Sequence, residues 1–317
     1  MTGSRTIGPY DVIARLSGGG GGVELFKVRE RGPLQGPLYC LKRISPSVGD
    51  SIDFALRFDA EVRLWAKLEH RNIVSLRDHG EDEGHFLVME YVDGLDLDGA
   101  LRFGPLEPYL VVYLGVELCR AFVFMHHGDS ARGRLKPVIH SDITPDNVLL
   151  GRDGSVKVSD FGLAKAIGQT GAETLTRVRG KERWRAPEQY EQSEQGQVTV
   201  NAQTDLFALG LVLWRALIGT HPYAEGRMEL RPRPSLDEWI GQRTLLNRRR
   251  LVAEAAPHAP AALQAVIHDL LQPRVSRMSV AEEALERLLA IEELMAHDGL
   301  ARHVSRCADA AAGEGAS

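Results

Sequence analysis

Cysteine is scarce in this sequence. Cys40, Cys119 and Cys307 are the only three in 317 residues, and their spacing pairs none of them. No disulfide framework or zinc site is indicated, and a reducing compartment is expected. Charge of one sign is not in large excess: 38 Lys and Arg stand against 43 Asp and Glu, a formal net charge of −5. No general affinity for nucleic acid or an anionic membrane surface is expected. Long apolar runs are missing too. Leu110 to Met125 is interrupted by Glu117 and Arg120, and Phe207 to Ile218 spans only twelve residues. Neither meets the roughly 20 residues that a membrane-crossing helix needs. The opening M-T-G-S-R-T-I-G-P-Y holds no apolar core for a secretion signal, so a cytoplasmic protein is expected. What remains, 44% hydrophobic and 26% charged, is ordinary globular material, long enough for two lobes with separate cores.

The most informative stretch runs from Val138 to Gly162. Val148-Leu149-Leu150 is a short apolar run and Val156-Lys157-Val158-Ser159 alternates, with Gly151-Arg152-Asp153-Gly154 between them. Asp-Gly supplies the positive φ of a tight turn, so the segment predicts a β-hairpin. Its closure brings Asn147 and Asp160 together, with Asp142 on the incoming loop. An amide oxygen and a carboxylate suit Mg²⁺, a hard cation that takes oxygen ligands and shares them with phosphates. Asn147 and Asp160 are therefore the candidate metal ligands. The remaining carboxylate, Asp142, is placed to accept or orient a proton.

Upstream, Tyr10 to Leu16 and Val23 to Arg29 read as strands around the glycine cluster of residues 18–22. Glycines there either let backbone amides approach phosphate oxygens or form a plain linker. Leu38 to Ile44 alternates as a strand with Leu38, Cys40, Lys42 and Ile44 on one face. A lysine among apolar neighbours needs an anionic partner unless its ammonium reaches water. Asp53 to Glu69 has helical periodicity, with Phe58, Val62, Trp65 and Leu68 in one stripe and Glu61 beside it. Lys42 and Glu61 are the expected ion pair. A strand is expected to begin near Ile73, and Phe86 to Val92 is a further one.

Composition then turns from strand-rich to helix-rich, which places a domain boundary at Val92. Residues 1–92 form the first domain and 93–298 the second; 299–317, rich in Ala, Gly and small polar residues, read as a disordered tail. In the second domain Pro108 to His127 and Asp205 to Trp214 are apolar, buried helices, the latter capped by Asp205. Residues 261–295 carry two amphipathic helices. Residues 163–185 form a long polar loop of the kind that usually has a function, with Thr170, Thr174 and Thr176 near its middle.

The spacing D-x-x-x-x-N followed by D-F-G, here Asp142, Asn147 and Asp160-Phe161-Gly162, resembles the catalytic and metal loops of eukaryotic-type (Hanks-type) protein kinases. The resemblance runs through the chain from about residue 10 to 295, with its motifs in order. It implies an α+β, bilobal protein-kinase fold: an antiparallel sheet with one key helix, then a larger, mainly helical lobe. It implies ATP and Mg²⁺, a protein substrate and a Ser/Thr acceptor. Lys42, oriented by Glu61, would hold the α/β-phosphates, and Asp142 would orient the acceptor hydroxyl. Gly18 and Gly20 match two glycines of the phosphate loop, and Leu25 takes the place of its final valine. Val23 stands at the third glycine position. Met89 would be the gatekeeper; backbone groups of Glu90 and Val92 would meet the adenine edge, and Leu25, Cys40 and Leu149 would sandwich the ring. Asp205 would anchor the catalytic-loop backbone, and Arg277 would pair with Glu188 of Ala186-Pro187-Glu188. Residues 163–185 resemble an activation segment, with Thr170, Thr174 and Thr176 as candidate autophosphorylation sites.

Departures from the family pattern carry information. Ser141 replaces the arginine that pairs with a phosphorylated activation segment, so activity is expected not to depend on that switch. Thr144 stands where Ser/Thr-specific members carry lysine, and Lys181 where they carry threonine. The family places these positions in contact, so the pair reads as exchanged, with Lys181 returning an ammonium to the γ-phosphate. Other readings are a nucleotide-binding scaffold without turnover, or a small-molecule kinase on a related fold.

Overall fold

A computed structural model of the protein describes residues 5–18, 22–32, 36–46, 58–59, 62–128, 137–161, 182–189, 200–222, 248–291 and 297–314. These fall into two units, one holding the described residues up to Val92 together with Asp160 and Phe161, the other holding the rest.

In the first unit β1 (Thr6–Ile7), β2 (Tyr10–Gly18), β3 (Val23–Glu30), β4 (Leu38–Ile44), β5 (Leu76–Glu81) and β6 (His85–Glu90) form one antiparallel sheet in the order β1-β2-β3-β4-β6-β5. Side chains alternate across it. One face buries Ile7, Tyr10, Phe26, Val28, Leu41, Phe86 and Val88 in a single core. The register puts Leu25 and Leu87 opposite Lys42, and Met89 opposite Cys40, on the other face. The expected stripe of Phe58, Val62, Trp65 and Leu68 is buried throughout; Glu61 beside it lies outside the described residues. The strand expected from Ile73 begins instead at Leu76.

In the second unit β7 (Gly94–Asp96), β8 (Val148–Gly151) and β9 (Val156–Val158) form a small sheet in that order. The strand expected to run from Phe86 to Val92 ends at Glu90, and Gly94 begins another. The missing side chain makes this pairing feasible: a Cβ on Gly94 would lie 1.9 Å from the Leu150 carbonyl oxygen. The helices are α1 (Leu97–Ala100), α2 (Pro108–His127), α3 (Ala202–Ile218), α4 (Arg248–Ala255), α5 (Ala261–Leu270), α6 (Ala281–Leu289) and α7 (His297–Glu314). Helix α2 packs against α3 and α6, and α5 packs against α3, α4 and α6.

Four expectations are corrected. Helix α2 has 20 residues and is apolar enough to cross a membrane by length and composition, but 72% of its apolar window is buried inside the protein. Glu117 does not interrupt it, because Arg120 one turn on neutralises that buried carboxylate. Helix α3 starts at Ala202, and its cap is Asn201, which accepts from Gln203 N while Thr204 Oγ1 accepts from Asn201 N. Asp205 lies within the helix, fully buried and engaged elsewhere. The tail read as disordered is α7. Its Leu300, Val304, Cys307 and Ala308 bury one face, a periodicity that its small-residue composition concealed. Helix α7 packs on α1, α2, β7 and β8, and Arg152 of the β8–β9 turn donates to Ser305 O at 3.3 Å and pairs with Asp309 at 2.8 Å. Finally, Asp160 and Phe161 belong with the first unit and not with the second. They are held there by Lys42 and by Trp65, whose ring lies 5.9 Å from that of Phe161.

Candidate active site

The first unit places Lys42 on β4 at 8% exposure. An ammonium so buried needs a counter-charge, and Asp160 Oδ1 supplies it at 2.6 Å. Among the described residues Lys42 thus pairs with the carboxylate assigned to the metal. Asp160 has φ +63°, a left-handed backbone that costs a non-glycine residue about 1–2 kcal/mol. Two contacts hold it there: its carboxylate on Lys42 and the following ring of Phe161 on Trp65. Trp65 is itself fixed by its Nε1–H donating to Val74 O at 2.8 Å. Cys40 is half-buried beside Lys42. Burial, and next the charge of Asp160, push its thiol pKa up to about 12 despite Lys42, so it is a neutral, apolar lining group. Leu25 is half-buried and Met89 buried on the same sheet face. The Glu90 N–H donates to Ser75 O at 3.0 Å. Val92 closes this part of the unit. Gly18 ends β2, opposite Glu24; Gly20 lies outside the described residues.

The second unit carries the predicted hairpin. Gly154 has φ +82°, and Val148 lies opposite Val158. The Ser159 N–H donates to Asn147 O at 2.9 Å, which sets the residue before Asp160 against Asn147. Asn147 is buried, and its Nδ2 donates to Asp142 O at 2.8 Å and to Asp142 Oδ2 at 3.2 Å. With the nitrogen facing Asp142, the amide oxygen is the atom that a hard cation would take. Leu149 sits half-buried on β8. His140 accepts from Asp142 N at 3.3 Å and meets Ser159 O at 3.1 Å, which assigns its proton to Nε2.

Asp205 anchors this loop. Its carboxylate accepts His140 N at 2.9 Å, Ser141 N at 2.7 Å and His126 Nε2 at 2.9 Å. Burial alone pushes the Asp205 carboxyl up, but the His126 hydrogen bond, the His126 and His140 rings and the Ser141 N–H outweigh it and hold it below the usual carboxylate range. The anchor fixes a strained residue, since Ser141 has φ +62°. Thr144 is buried, and its hydroxyl has no hydrogen-bond partner among the described residues. It lines a small recess with Ser141, Asp142, Trp184, Arg185 and Gln189. Lys181, Thr170, Thr174 and Thr176 lie outside the described residues.

The protein kinase domain family model matches residues 12–289. The chain belongs to the protein kinase family. The crystal structure of the Mycobacterium tuberculosis PknI kinase domain superposes with a TM-score of 0.58 at 23% identity, over 91% of this chain and 98% of that one. That likeness shows the kinase fold. Among curated relatives, the tyrosine-protein kinase MasK of Myxococcus xanthus is 33% identical over 68% of this chain and 34% of its own length. The serine/threonine-protein kinase PrkC of Bacillus subtilis is 30% identical over 70% of this chain and 32% of its own. The chain thus spans about a third of the length of these relatives.

As a kinase, it shows the expected link between Ala186-Pro187-Glu188 and the later helices. Arg277 Nη1 meets Glu188 Oε1 at 2.7 Å, both groups buried, and donates also to Gln203 O at 2.8 Å while Nε donates to Gln272 O at 2.9 Å. Two functional residues escaped the sequence reading. His126, at the end of α2, shares Asp205 with the catalytic loop. Gln189, next after Glu188, accepts from Ala186 N through Oε1 at 2.8 Å and donates from Nε2 to Ser141 O at 2.9 Å. An amide after A-P-E and a histidine ending a buried helix are the only sequence signals either offers.

Proposed function

We propose that this chain transfers the γ-phosphoryl group of ATP to serine or threonine hydroxyls of proteins. The observation that carries the reading is the Lys42–Asp160 pair at 2.6 Å, on the sheet face that also bears Leu25, Cys40 and Met89. Lys42 then holds the α/β-phosphates, with Glu61 as its family partner. Leu25, Cys40 and Leu149 sandwich the adenine ring with Met89 as gatekeeper, and backbone groups of Glu90 and Val92 meet its edge. Asp142 orients the acceptor hydroxyl and takes its proton on the carboxylate late in the transfer. Positioning and fixed charges supply most of the rate, because the transition state is loose.

The donor set of Asn147 and Asp160, both oxygen, fits Mg²⁺, and no cluster of three or more His, Cys, Asp or Glu among the described residues offers a rival metal site. Such an ion, when bound, neutralises charge on the phosphate oxygens. Ser141 offers no guanidinium to a phosphorylated segment, so turnover does not require phosphate at Thr170, Thr174 or Thr176. Thr144 presents a buried acceptor that the Lys181 ammonium would satisfy.

The names of PrkC and its relatives support Ser/Thr acceptors, and that of MasK supports tyrosine as the second reading. Labelled ATP with a mixed protein substrate, followed by phosphoamino-acid analysis, separates the two. In the same assay Lys42→Met and Asp160→Asn are each expected to remove nearly all transfer. Lys42→Met takes the cation from a carboxylate, Asp160, that is one-third exposed, and should keep the melting temperature within about 5 °C of the parent. Asp160→Asn strips a counter-charge from the buried ammonium and should lower it by several degrees more. Transfer surviving in both variants would overturn the proposal.

A further inference from the structure

The residue before Asp142 is tightly constrained. Ser141 is 9% exposed and left-handed at φ +62° without being glycine. Such a conformation persists only where its surroundings over-determine it. Both flanking peptide groups are gripped by side chains. Asp205 of α3 accepts the Ser141 N–H at 2.7 Å, and Gln189 Nε2 donates to the Ser141 carbonyl at 2.9 Å. That carbonyl shares a rigid peptide plane with the N–H of Asp142, so Gln189 sets the plane from which Asp142 departs. The other end of the same carboxamide accepts the Ala186 N–H at 2.8 Å. One neutral side chain therefore spans the gap between the A-P-E segment and the catalytic loop.

We propose that Gln189 is a positioning residue for Asp142, and that its carboxamide links the A-P-E segment to the catalytic loop without any charge or phosphate. The proposal rests on the kinase reading above. It gives Ser141 a physical context. Where an arginine would reach outward to a phosphate, a serine turns its backbone to two fixed partners, the Asp205 carboxylate and the Gln189 carboxamide.

The carboxamide has two separable halves, and variants divide them. Gln189→Glu keeps the shape and the acceptor for Ala186 N, but a carboxylate cannot donate to Ser141 O. Gln189→Met keeps the length and loses both halves. If Gln189 merely satisfied the A-P-E backbone, Glu would behave like Gln. If it positions Asp142, Glu should fail with Met: kcat falls roughly tenfold or more, as for one lost buried hydrogen bond in the reacting geometry, while the KM for ATP changes less than about twofold. Amide hydrogen exchange over residues 138–147 supplies a second measurement that needs no turnover. It should speed up in both variants and stay unchanged in α3. Wild-type-like kcat and loop exchange in Gln189→Glu would overturn the proposal. An inactive parent whose loop exchange still rose in both variants would refute the kinase reading while upholding the Gln189 link.

Discussion

Removing Asp205 tests how the catalytic loop is held. Asp205→Ala strips the acceptor from two buried backbone donors, His140 N and Ser141 N, and from His126. Each buried donor left unpaired costs about 1–3 kcal/mol, and relief from burying a carboxylate offsets part of the sum. A net loss of about 3–5 kcal/mol is expected, a large share of the roughly 5–15 kcal/mol that holds a domain together. Asp205→Asn keeps the volume and one acceptor oxygen. Its amide nitrogen must face a donor, so about 1–3 kcal/mol is lost. Urea unfolding followed by helix signal gives both numbers. The order parent, Asn, Ala should reappear in the kcat of the folded protein, because Asp142 follows directly on Ser141.

The same residue sets a pH dependence. Its carboxyl is held below the usual carboxylate range in the folded protein. The folded state therefore binds this proton less readily than the unfolded chain. The resulting stabilisation is fully present above the unfolded value, about pH 4, and fades as pH falls through the lower folded value. The gap between parent and Asp205→Asn should be widest at neutral pH and narrow under acid. An Ala variant within 1 kcal/mol of the parent, or a gap unchanged down to about pH 3, would refute the reasoning.

Other expectations follow from the same contacts. Arg277→Met leaves Glu188 buried without its cation and should lower stability by about 3–5 kcal/mol in urea titration, whereas Arg277→Met with Glu188→Gln should recover much of that loss. Ending the chain at Ile291 removes α7 and uncovers what Leu300 and Val304 bury, at about 1.5–3 kcal/mol for each such side chain. A scanning-calorimetry melting temperature lowered by several degrees is the check.

Sequence motifs made some of these contacts legible and hid others for a common reason. The hairpin was readable because Asp153-Gly154 encodes its own backbone angles, and the helices because burial imposes a period. The Glu188–Arg277 pair was readable only through family resemblance, since 89 residues separate its partners. Lys42 shows the limit. Its burial could be inferred from alternation along β4; Glu61, the acid expected beside it, lies outside the described residues. The acid found at 2.6 Å lies 118 residues away. That Asp160 meets the buried cation is decided by where the backbone returns, and local periodicity carries no record of that.

The same limit explains α7 and Gln189. Composition averaged over residues 299–317 resembles a tail, because alanine and glycine dilute the four positions that bury. Gln189 looks like any surface amide until Ser141, 48 residues earlier, is found with its carbonyl turned toward it. Both cases share one feature: the partner is a backbone group or a packed face, which no residue type announces. Asp205 holds backbone too, but it was legible because the family pattern carries it, whereas no motif in the sequence marks Gln189. The catalytic loop is held through both. Its chemistry could be read from Asp142 and Asn147, and Asp205 through family resemblance, whereas Gln189 appeared only once its contacts with Ala186 N and Ser141 O were seen.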